Sequence, residues 1–319
     1  MITSKEQIEL KELKNTTNHY DLLVCSASFE ERCLALASSL SSSAYERALI
    51  FRYRDPAELS EANNKKLVEV LGKKGEEVLI DKDSPLEIYD TLHDAILRNN
   101  AQTILFDIST FTRETILIAL MLFRQEPFMD VNVTLGYVPA DRYSRTANDD
   151  STEIWLSRGV NEIRTILGYS GSFSSLKKTM LVVLVGFEKE RANILINSFE
   201  ADKLYLGHVP PTESYSEELS EINHTNFERL VCLSSGCSTF EFSCKDIQLT
   251  YDKLKELIDA NREQYNIIIS PLNNKLSTLA VATVAFEYPE VQVCYASTNQ
   301  YNTEAYSSPA DEAFFFDFK

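Results

Sequence analysis

A repeat at constant spacing is the feature that most constrains the fold of this 319-residue chain. Two stretches recur: LLVCSASFEER at residues 22–32 returns as LVVLVGFEKER at 181–191, and LGYVPADRY at 135–143 returns as VCYASTNQY at 293–301. Phe29 and Phe187 lie 158 residues apart, as do Tyr137 and Tyr295. One spacing at both ends of a unit predicts two copies of one supersecondary layout. We therefore expect a pseudo-two-fold molecule with a cleft between its halves.

Each copy alternates apolar runs with helical patterns. In the first copy the runs lie near residues 21–26, 48–53, 77–81, 103–109 and 131–138. Continuous Val/Ile/Leu runs between helices are typical of a parallel sheet buried on both faces, and right-handed crossovers complete a three-layer Rossmann-like domain. The predicted fold class is α/β, with two tandem Rossmann-like domains and mainly parallel sheets. The predicted domains span 1–145 and 179–319, joined by a linker at 146–178.

Three segments fall outside this alternation. The linker contains WLSRGVNEIRTILGYSG, which predicts a short amphipathic helix, with Trp155 anchoring the linker to a domain. Residues 212–226 are polar and acidic and predict a surface insertion. The C-terminal AFFFDFK has four phenylalanines in seven residues, so it is either a last strand or an exposed docking segment.

Composition excludes several classes of function. A net charge of −17 disfavours binding to duplex DNA, which requires Lys and Arg to replace phosphate counterions. The longest apolar runs are shorter than the roughly 20 residues that span a bilayer, so no membrane association is expected. Six cysteines without CxxC and a charged start without a signal peptide predict a cytoplasmic protein. Scattered histidines predict no metal site.

The first candidate site segment follows the first predicted strand and includes Ser26, Ser28, Glu30 and Arg32. Ligands of open α/β sheets bind beyond the carboxyl ends of the strands. Ser28 with Glu31 fits a capping box. The recurrence of Phe-Glu in both copies instead predicts a ring wedged under the strand and a carboxylate that faces the cleft. The sequence leaves both interpretations open.

The second candidate segment follows the fourth predicted strand. Its polar side chains are Asp107, Ser109, Thr110, Thr112 and Arg113. Hydroxyls and helix N–H groups can hold a phosphate, and an arginine fork can bind it bidentately. Asp107 could accept from a ribose hydroxyl or a base amine. Helix capping is the alternative explanation for these polar groups.

Two further parts of the chain supply candidates. In the second copy, Asn274 and Lys275 match the polar segment, although Ser270 stands where the first copy has Asp107. After the fifth strand, Tyr143 could stack on a base or could buttress the other half. The chain lacks G-x-G-x-x-G, so no dinucleotide or other cofactor is expected.

The segment FDISTFTRE at residues 106–114 resembles the Asp-x-Thr-Gly-Gly-x-Lys type signature of CARF domains, and two such domains in one chain resemble the SAVED arrangement. The matched positions are Asp107, Ser109, Thr110 and Arg113, whereas Thr110-Phe111 replaces the glycine pair. The resemblance implies Rossmann-like sensors of cyclic oligoadenylates in prokaryotic antiviral systems. It also implies a separate effector or complex protein as partner, because the chain has no effector domain.

Three hypotheses follow. The first is a cytosolic prokaryotic sensor or adaptor that binds a nucleotide-like anion between the halves, in an antiviral defence complex. The second is an enzyme acting on nucleosides or nucleotides, a glycosidase, transferase or ring-type phosphodiesterase, with Glu30 and Asp107 as catalytic carboxylates. An ion pair between Glu30 and Arg32 would count against it. The third is a structural subunit of a defence complex with a degenerate site.

Overall fold

The structure is a computed structural model, which describes residues 2, 6–54, 58–143, 156–215, 217–303 and 307–319. Its chain divides into two compact units. Unit 1 comprises residues 1–148 together with 303–319, and unit 2 comprises residues 149–302. This division differs from the predicted one at two places, because the C-terminal residues belong to unit 1 and most of the predicted linker belongs to unit 2.

Helices and strands alternate along most of the chain. Those of residues 6–143 are β1 (Glu6–Glu9), β2 (Tyr20–Ser26), α1 (Arg32–Ser39), β3 (Tyr45–Tyr53), α2 (Glu58–Leu71), β4 (Gly75–Ile80), α3 (Pro85–Asn99), β5 (Thr103–Asp107), α4 (Arg113–Phe123), β6 (Asn132–Tyr137) and β7 (Ala140–Tyr143). Those of residues 157–301 are β8 (Ser157–Arg158), β9 (Glu162–Thr165), β10 (Lys178–Leu184), α5 (Lys189–Phe199), β11 (Lys203–His208), α6 (Glu217–Leu233), β12 (Ser238–Glu241), α7 (Ile247–Asn261), β13 (Tyr265–Pro271), α8 (Lys275–Glu287), β14 (Gln292–Ser297) and β15 (Gln300–Tyr301). The last two strands are β16 (Ser307–Pro309) and β17 (Glu312–Phe318).

Unit 1 is built on a seven-stranded sheet in the order β1-β17-β6-β5-β2-β3-β4. Strands β2 to β6 are parallel, and β17 pairs antiparallel with β6 and with β1. The chain runs from β2 outward to β4 and then returns to β5 on the other side of β2. The order of strands therefore reverses between β2 and β5, which is where open α/β sheets bind their ligands.

Unit 2 repeats this layout. Its six-stranded sheet has the order β12-β11-β10-β13-β14-β9, with β9 antiparallel to β14 and the other pairs parallel. The strand order reverses between β10 and β13. In both units the central strands are buried runs rich in Val, Leu and Ile, as a sheet covered by helices on both faces requires. The α/β class and the two mainly parallel Rossmann-like sheets are confirmed.

The predicted amphipathic linker helix is wrong where the structure describes it. Residues 157–158 form strand β8 and residues 162–165 form strand β9, which pairs along β14 from Thr165–Cys294 to Glu162–Ser297. The spacing of Leu156, Val160 and Ile163 fits a helix, but pairing with an open sheet edge decides the local structure because β preference depends on context. Trp155 lies outside the described residues.

The predicted surface insertion at residues 212–226 is also wrong. Much of it belongs to α6, which fills the connection between β11 and β12 as α2 does between β3 and β4. Phe227 and Leu230 of α6 are buried in the core of unit 2. The acidic residues Glu217 and Glu218 lie in its first turn, where they complement the positive end of the helix.

The phenylalanine-rich C-terminus is a strand, β17, and it completes the sheet of unit 1 rather than that of unit 2. The predicted strand was right, but its predicted domain was not. Phe316 pairs with Leu135 of β6 and is 2% exposed. The buried Phe side chains give β17 the apolar character that an inner strand needs.

Each unit also contains a small two-stranded ladder. In unit 1, Ser307 of β16 pairs with Tyr143 of β7, and in unit 2, Ser157 of β8 pairs with Tyr301 of β15. The segment after each repeat thus completes the unit of the other repeat. We call these two segments, 157–165 and 307–318, the exchanged arms. Ser157 and Ser307 are 150 residues apart, as are Glu162 and Glu312.

Candidate functional site

The candidate residues of unit 1 lie in two turns that flank the reversal of strand order. The turn after β2 leads into α1, and the turn after β5 leads into α4. Thr110 joins them, because its hydroxyl donates to the carbonyl of Ser26 at 3.1 Å. Asn63 of α2 supports the first turn by donating its amide to the carbonyls of Ser28 and Phe29 at 2.9 and 3.2 Å.

Glu30 and Arg32 form a buried ion pair with a serine from the exchanged arm. Arg32 Nη2 and Nε both donate to Glu30 Oε2, at 2.6 and 3.1 Å, and Nε also donates to Ser307 Oγ at 2.8 Å. Ser307 Oγ donates to the same carboxylate oxygen at 2.5 Å, and Arg32 Nη1 donates to the carbonyl of Val138 at 3.2 Å. The side chains of Arg32 and Glu30 are only 6% and 20% exposed. The fork edge of this guanidinium, the side that carries Nε and Nη2, is therefore filled by the protein itself.

Asp107 is buried at the end of β5 and is bound by the turn that follows it. Its Oδ1 accepts from the Ser109 hydroxyl at 2.5 Å and from the Ser109 N–H at 3.0 Å. Ser109 Oγ in turn accepts from the N–H of Val138 at 2.9 Å. Burial raises the pKa of Asp107 to about 6, although the bonds from Ser109 and the charge of Arg32 lower it. The carboxyl group therefore fixes the turn between β5 and α4.

The remaining polar residues of this turn lie at the start of α4. Thr112 is its N-cap and accepts from the N–H of Thr115 at 3.1 Å, which is the capping interpretation of the sequence. Arg113 is the first helical residue and is half-buried. Ser26 is buried, whereas Ser28 is half-buried. The half-buried Arg113 and the first turn of α4 thus place positive charge beside the strand reversal.

The predicted capping box at Ser28 and Glu31 is wrong. Helix α1 begins at Arg32, Glu31 occupies the N-cap position, and no side chain caps the helix. Ser28 Oγ accepts instead from the N–H of Glu30 at 3.3 Å. The buried contacts of Arg32 draw the start of the helix three residues further along the chain than the pattern indicates.

The equivalent turn of unit 2 contains a similar cluster with a different pairing. Arg191 Nη1 donates to Glu188 Oε2 at 2.8 Å, and Ser157 of the exchanged arm donates to Glu188 Oε1. Asn226 of α6 donates to the carbonyl of Phe187 at 2.8 Å, as Asn63 does to Phe29 in unit 1. The Arg191 guanidinium carbon lies 4.7 Å from the centre of the Tyr295 ring. Phe-Glu therefore marks a structural motif common to both units.

Asn274 and Lys275 lie at the start of α8 in unit 2. Asn274 is the N-cap, and its Oδ1 accepts from the N–H of Ser277 at 2.9 Å while its amide donates to the carbonyl of Cys244 at 2.7 Å. Lys275 is the first helical residue and is half-buried. Asn273 Nδ2 donates to the carbonyl of Val185 at 2.6 Å, which joins the two turns as Thr110 does in unit 1.

The sequence did not point to two residues that bind the glutamates of the Phe-Glu turns, Ser157 and Ser307. For a third residue, the candidate Tyr143, the structure describes only the backbone. Ser157 and Ser307 were not among the candidates, although the pattern Ser-x-x-x-Asn/Asp-Glu at 157–162 and 307–312 repeats at a spacing of 150. That second, different spacing is the signal that could have identified the exchanged arms. For Tyr143, the backbone pairs with Ser307 in the β7–β16 ladder, and its side chain lies outside what the structure describes.

Two other kinds of site are absent from the described ranges. No group of three or more His, Cys, Asp or Glu residues there could hold a metal ion. None of the helices in the described residues is both long and apolar enough to cross a bilayer.

Comparisons with known proteins assign the chain to no family. No protein-family model and no curated protein matches it. Among solved structures it is similar to a universal stress protein from Archaeoglobus fulgidus DSM 4304, at 11% identity and a TM-score of 0.25, over 87% of this chain and 96% of that one.

Proposed function

We propose that this protein binds a small nucleotide-like anion and does not catalyse a reaction on it. In this proposal it is a cytoplasmic sensor or adaptor that passes the binding event to a separate effector protein in a prokaryotic antiviral defence complex. The ligand binds in unit 1, at the strand reversal between β2 and β5, where its negative charge meets Arg113 and the N-terminus of α4. These assignments extend the resemblance of FDISTFTRE to the CARF signature.

The state of the two candidate carboxylates is the observation that favours binding over catalysis. Glu30 is held by Arg32 and Ser307, and Asp107 is held by Ser109. A general acid or base must exchange a proton with its substrate and so needs a free face within hydrogen-bond distance of it. The hydrogen bonds described for the two carboxylates, at Glu30 Oε2 and at Asp107 Oδ1, fix the turns, as those of positioning groups in a binding site do.

The position of the half-buried cation supports an anionic ligand. The first N–H groups of a helix carry partial positive charge, and an adjacent arginine can add a bidentate contact to phosphate. Arg113 begins an 11-residue helix that is capped by Thr112, and the Thr110 hydroxyl beside it holds the turn to Ser26. The turn therefore brings one cation and one helix N-terminus together beside the strand reversal.

The test is mass spectrometry of small molecules that co-purify with the protein, followed by thermal-shift measurements with mononucleotides and with linear and cyclic oligonucleotides. We expect a phosphate-containing nucleotide in the wild type and its loss in Arg113→Ala. Arg124→Ala is the matched control, because Arg124 lies at the other end of α4 and should leave binding unchanged. No bound nucleotide and no thermal shift in the wild type would contradict the proposal and favour a structural role.

A further inference from the structure

The two buried arginines of the Phe-Glu turns differ in which donors they leave open. Arg32 uses Nε, Nη1 and Nη2 within unit 1. In unit 2, Arg191 uses Nη1 for Glu188, while its Nε and Nη2 are buried and have no hydrogen-bond partner among the described residues. A buried guanidinium with two unbonded N–H groups costs free energy, so such groups are normally satisfied by a partner or by water.

The two open donors belong to the same edge of the guanidinium. Nε–H and one N–H of Nη2 point in parallel from one side of the planar group, and this fork matches the two oxygens of a carboxylate or phosphate. In unit 1 the same edge holds the carboxylate of Glu30. In unit 2, Glu188 binds the Nη1 end instead. The edge of Arg191 that has no partner is thus the same edge with which Arg32 binds a carboxylate in unit 1.

A one-residue difference in spacing explains the open edge. The arginine follows the glutamate by two residues in FEER and by three residues in FEKER. Arg191 therefore lies at the third position of α5, with Glu188 at its N-cap, whereas Arg32 is the first residue of α1. On a helix, positions three apart share a face, which lets Glu188 meet the end of the guanidinium rather than its side.

The surroundings of Arg191 suit an anion. Its side chain is 3% exposed, and the Tyr295 ring covers one face of the guanidinium. Burial lowers the pKa of Arg191, but Tyr295, Glu188 and Tyr301 together raise it above its ordinary value, so the group stays charged. The Glu188 side chain makes no cap bond to α5, which leaves the N-terminal end of that 11-residue helix without a side-chain cap.

We infer that the Nε–Nη2 edge of Arg191 is a binding site for one small oxyanion, a phosphate or carboxylate group, in unit 2. This inference does not rest on the function proposed for unit 1, since it uses other residues in another unit. The anion would enter when the β8–β15 ladder opens. This ladder has only two residue pairs, and it contains Ser157, which binds Glu188. Short ladders of this kind open locally at low free energy.

The test follows the arginine Nε–H signals of the full-length protein by ¹H–¹⁵N NMR during titration with inorganic phosphate, acetate or adenosine monophosphate. A sodium chloride titration at matched ionic strength corrects for screening. We expect one buried Nε–H signal, absent in Arg191→Lys, to shift with phosphate or acetate and not with chloride. The three anions distinguish a free phosphate, a carboxylate and a nucleotide as the source of the oxyanion.

Variants test the geometry. Arg191→Lys keeps the charge but loses the fork, and we expect oxyanion binding about tenfold weaker. Glu188→Gln removes the competing negative charge and should tighten binding. Arg262→Lys, at a partly exposed arginine of unit 2, is the matched control and should bind as the wild type does.

Two results would overturn the inference. One is a folded wild type whose Arg191 signal stays fixed in all three anion titrations, which would mean that water or nothing fills the edge. The other is binding that Arg191→Lys leaves unchanged. The wild-type titration decides the question even where a variant fails to fold.

Discussion

Arg32 and Arg191 occupy matching turns, and one residue of spacing gives them different partners. Both are buried charges, and each is paired with a glutamate of its own turn whose carboxylate also binds a serine of an exchanged arm. A buried arginine is stable only when most of its donors are satisfied. Arg32 meets this requirement within the protein. Arg191 meets this requirement only at Nη1. A comparison of residue types alone would not show this difference, because both turns contain a glutamate and an arginine.

Asp107 yields a prediction at the same scale. Its pKa is raised by burial to about 6, from 3.8. The folded protein therefore binds more protons than the unfolded chain between these values, and stability falls as pH rises through this window. Asp107→Asn cannot ionise and keeps an oxygen for Ser109. We expect it to stabilise the fold at pH 8, by on the order of 3 kcal/mol at most, with the gain vanishing below about pH 4.

Urea denaturation of both proteins at several pH values across this window measures the gain. Asp317→Asn, at an exposed position of β17, serves as the control. A stability difference that is constant with pH would show that ionisation of Asp107 is not its cause.

At the scale of elements, the turn after β10 is packed so closely that a glycine is required. A Cβ on Gly186 would lie 2.2 Å from the carbonyl oxygen of Leu272, which belongs to the turn after β13. The equivalent residue of unit 1, 158 positions earlier, is Ser28. The two units thus share a strand order but differ in how tightly their turns meet.

We expect Gly186→Ala to destabilise the protein by about 1–3 kcal/mol, because backbone must move to admit the methyl group. Ser28→Ala, the matched change in unit 1, removes one weak hydrogen bond and should cost less than about 1 kcal/mol. Thermal unfolding of both variants measures the contrast. Equal losses at the two positions would contradict the close approach seen in unit 2.

The elements also show which parts of the fold the sequence can predict. Buried strands such as β2, β5 and β10 are apolar runs between helices, so their pattern is local and was recognised. Strand β9 and the destination of β17 depend on pairing with strands more than 100 residues away along the chain, which no local pattern records. The candidates Ser26 and Asp107 end strands β2 and β5, as predicted. Ser307, which binds Glu30, and Ser157, which binds Glu188, come from the exchanged arms, and only tertiary pairing places them there.

At the scale of the whole molecule, neither repeat is a complete unit by itself. The first repeat lacks β16 and β17 until the C-terminal arm supplies them, and the second lacks β8 and β9 until the preceding arm supplies them. Without β17, the edge of β6 would be unpaired and β1 would lose the strand with which it pairs. Unpaired apolar edges favour aggregation.

Separately produced fragments test this dependence. We expect residues 1–148 alone to fold poorly, because they lack the arm that pairs with β6. Residues 149–319 should fold as unit 2 with a free arm, and co-expression should give a stable complex of the two. Hydrogen exchange of β6 reports completion of unit 1. The prediction fails if fragment 1–148 protects β6 as strongly alone as in the complex.

The exchanged C-terminal arm also sets the order in which a nascent chain can mature. Domains usually fold in sequence as they leave the ribosome, the N-terminal one first. Here unit 1 starts translation before unit 2 but receives β17 from residues that follow unit 2 in the chain, so its sheet stays unfinished until unit 2 has been made. Unit 2, whose strands are contiguous in residues 157–301, can close earlier. The unit that is translated first is therefore the unit that is completed last, and it stays exposed to chaperones and proteases while unit 2 is synthesised.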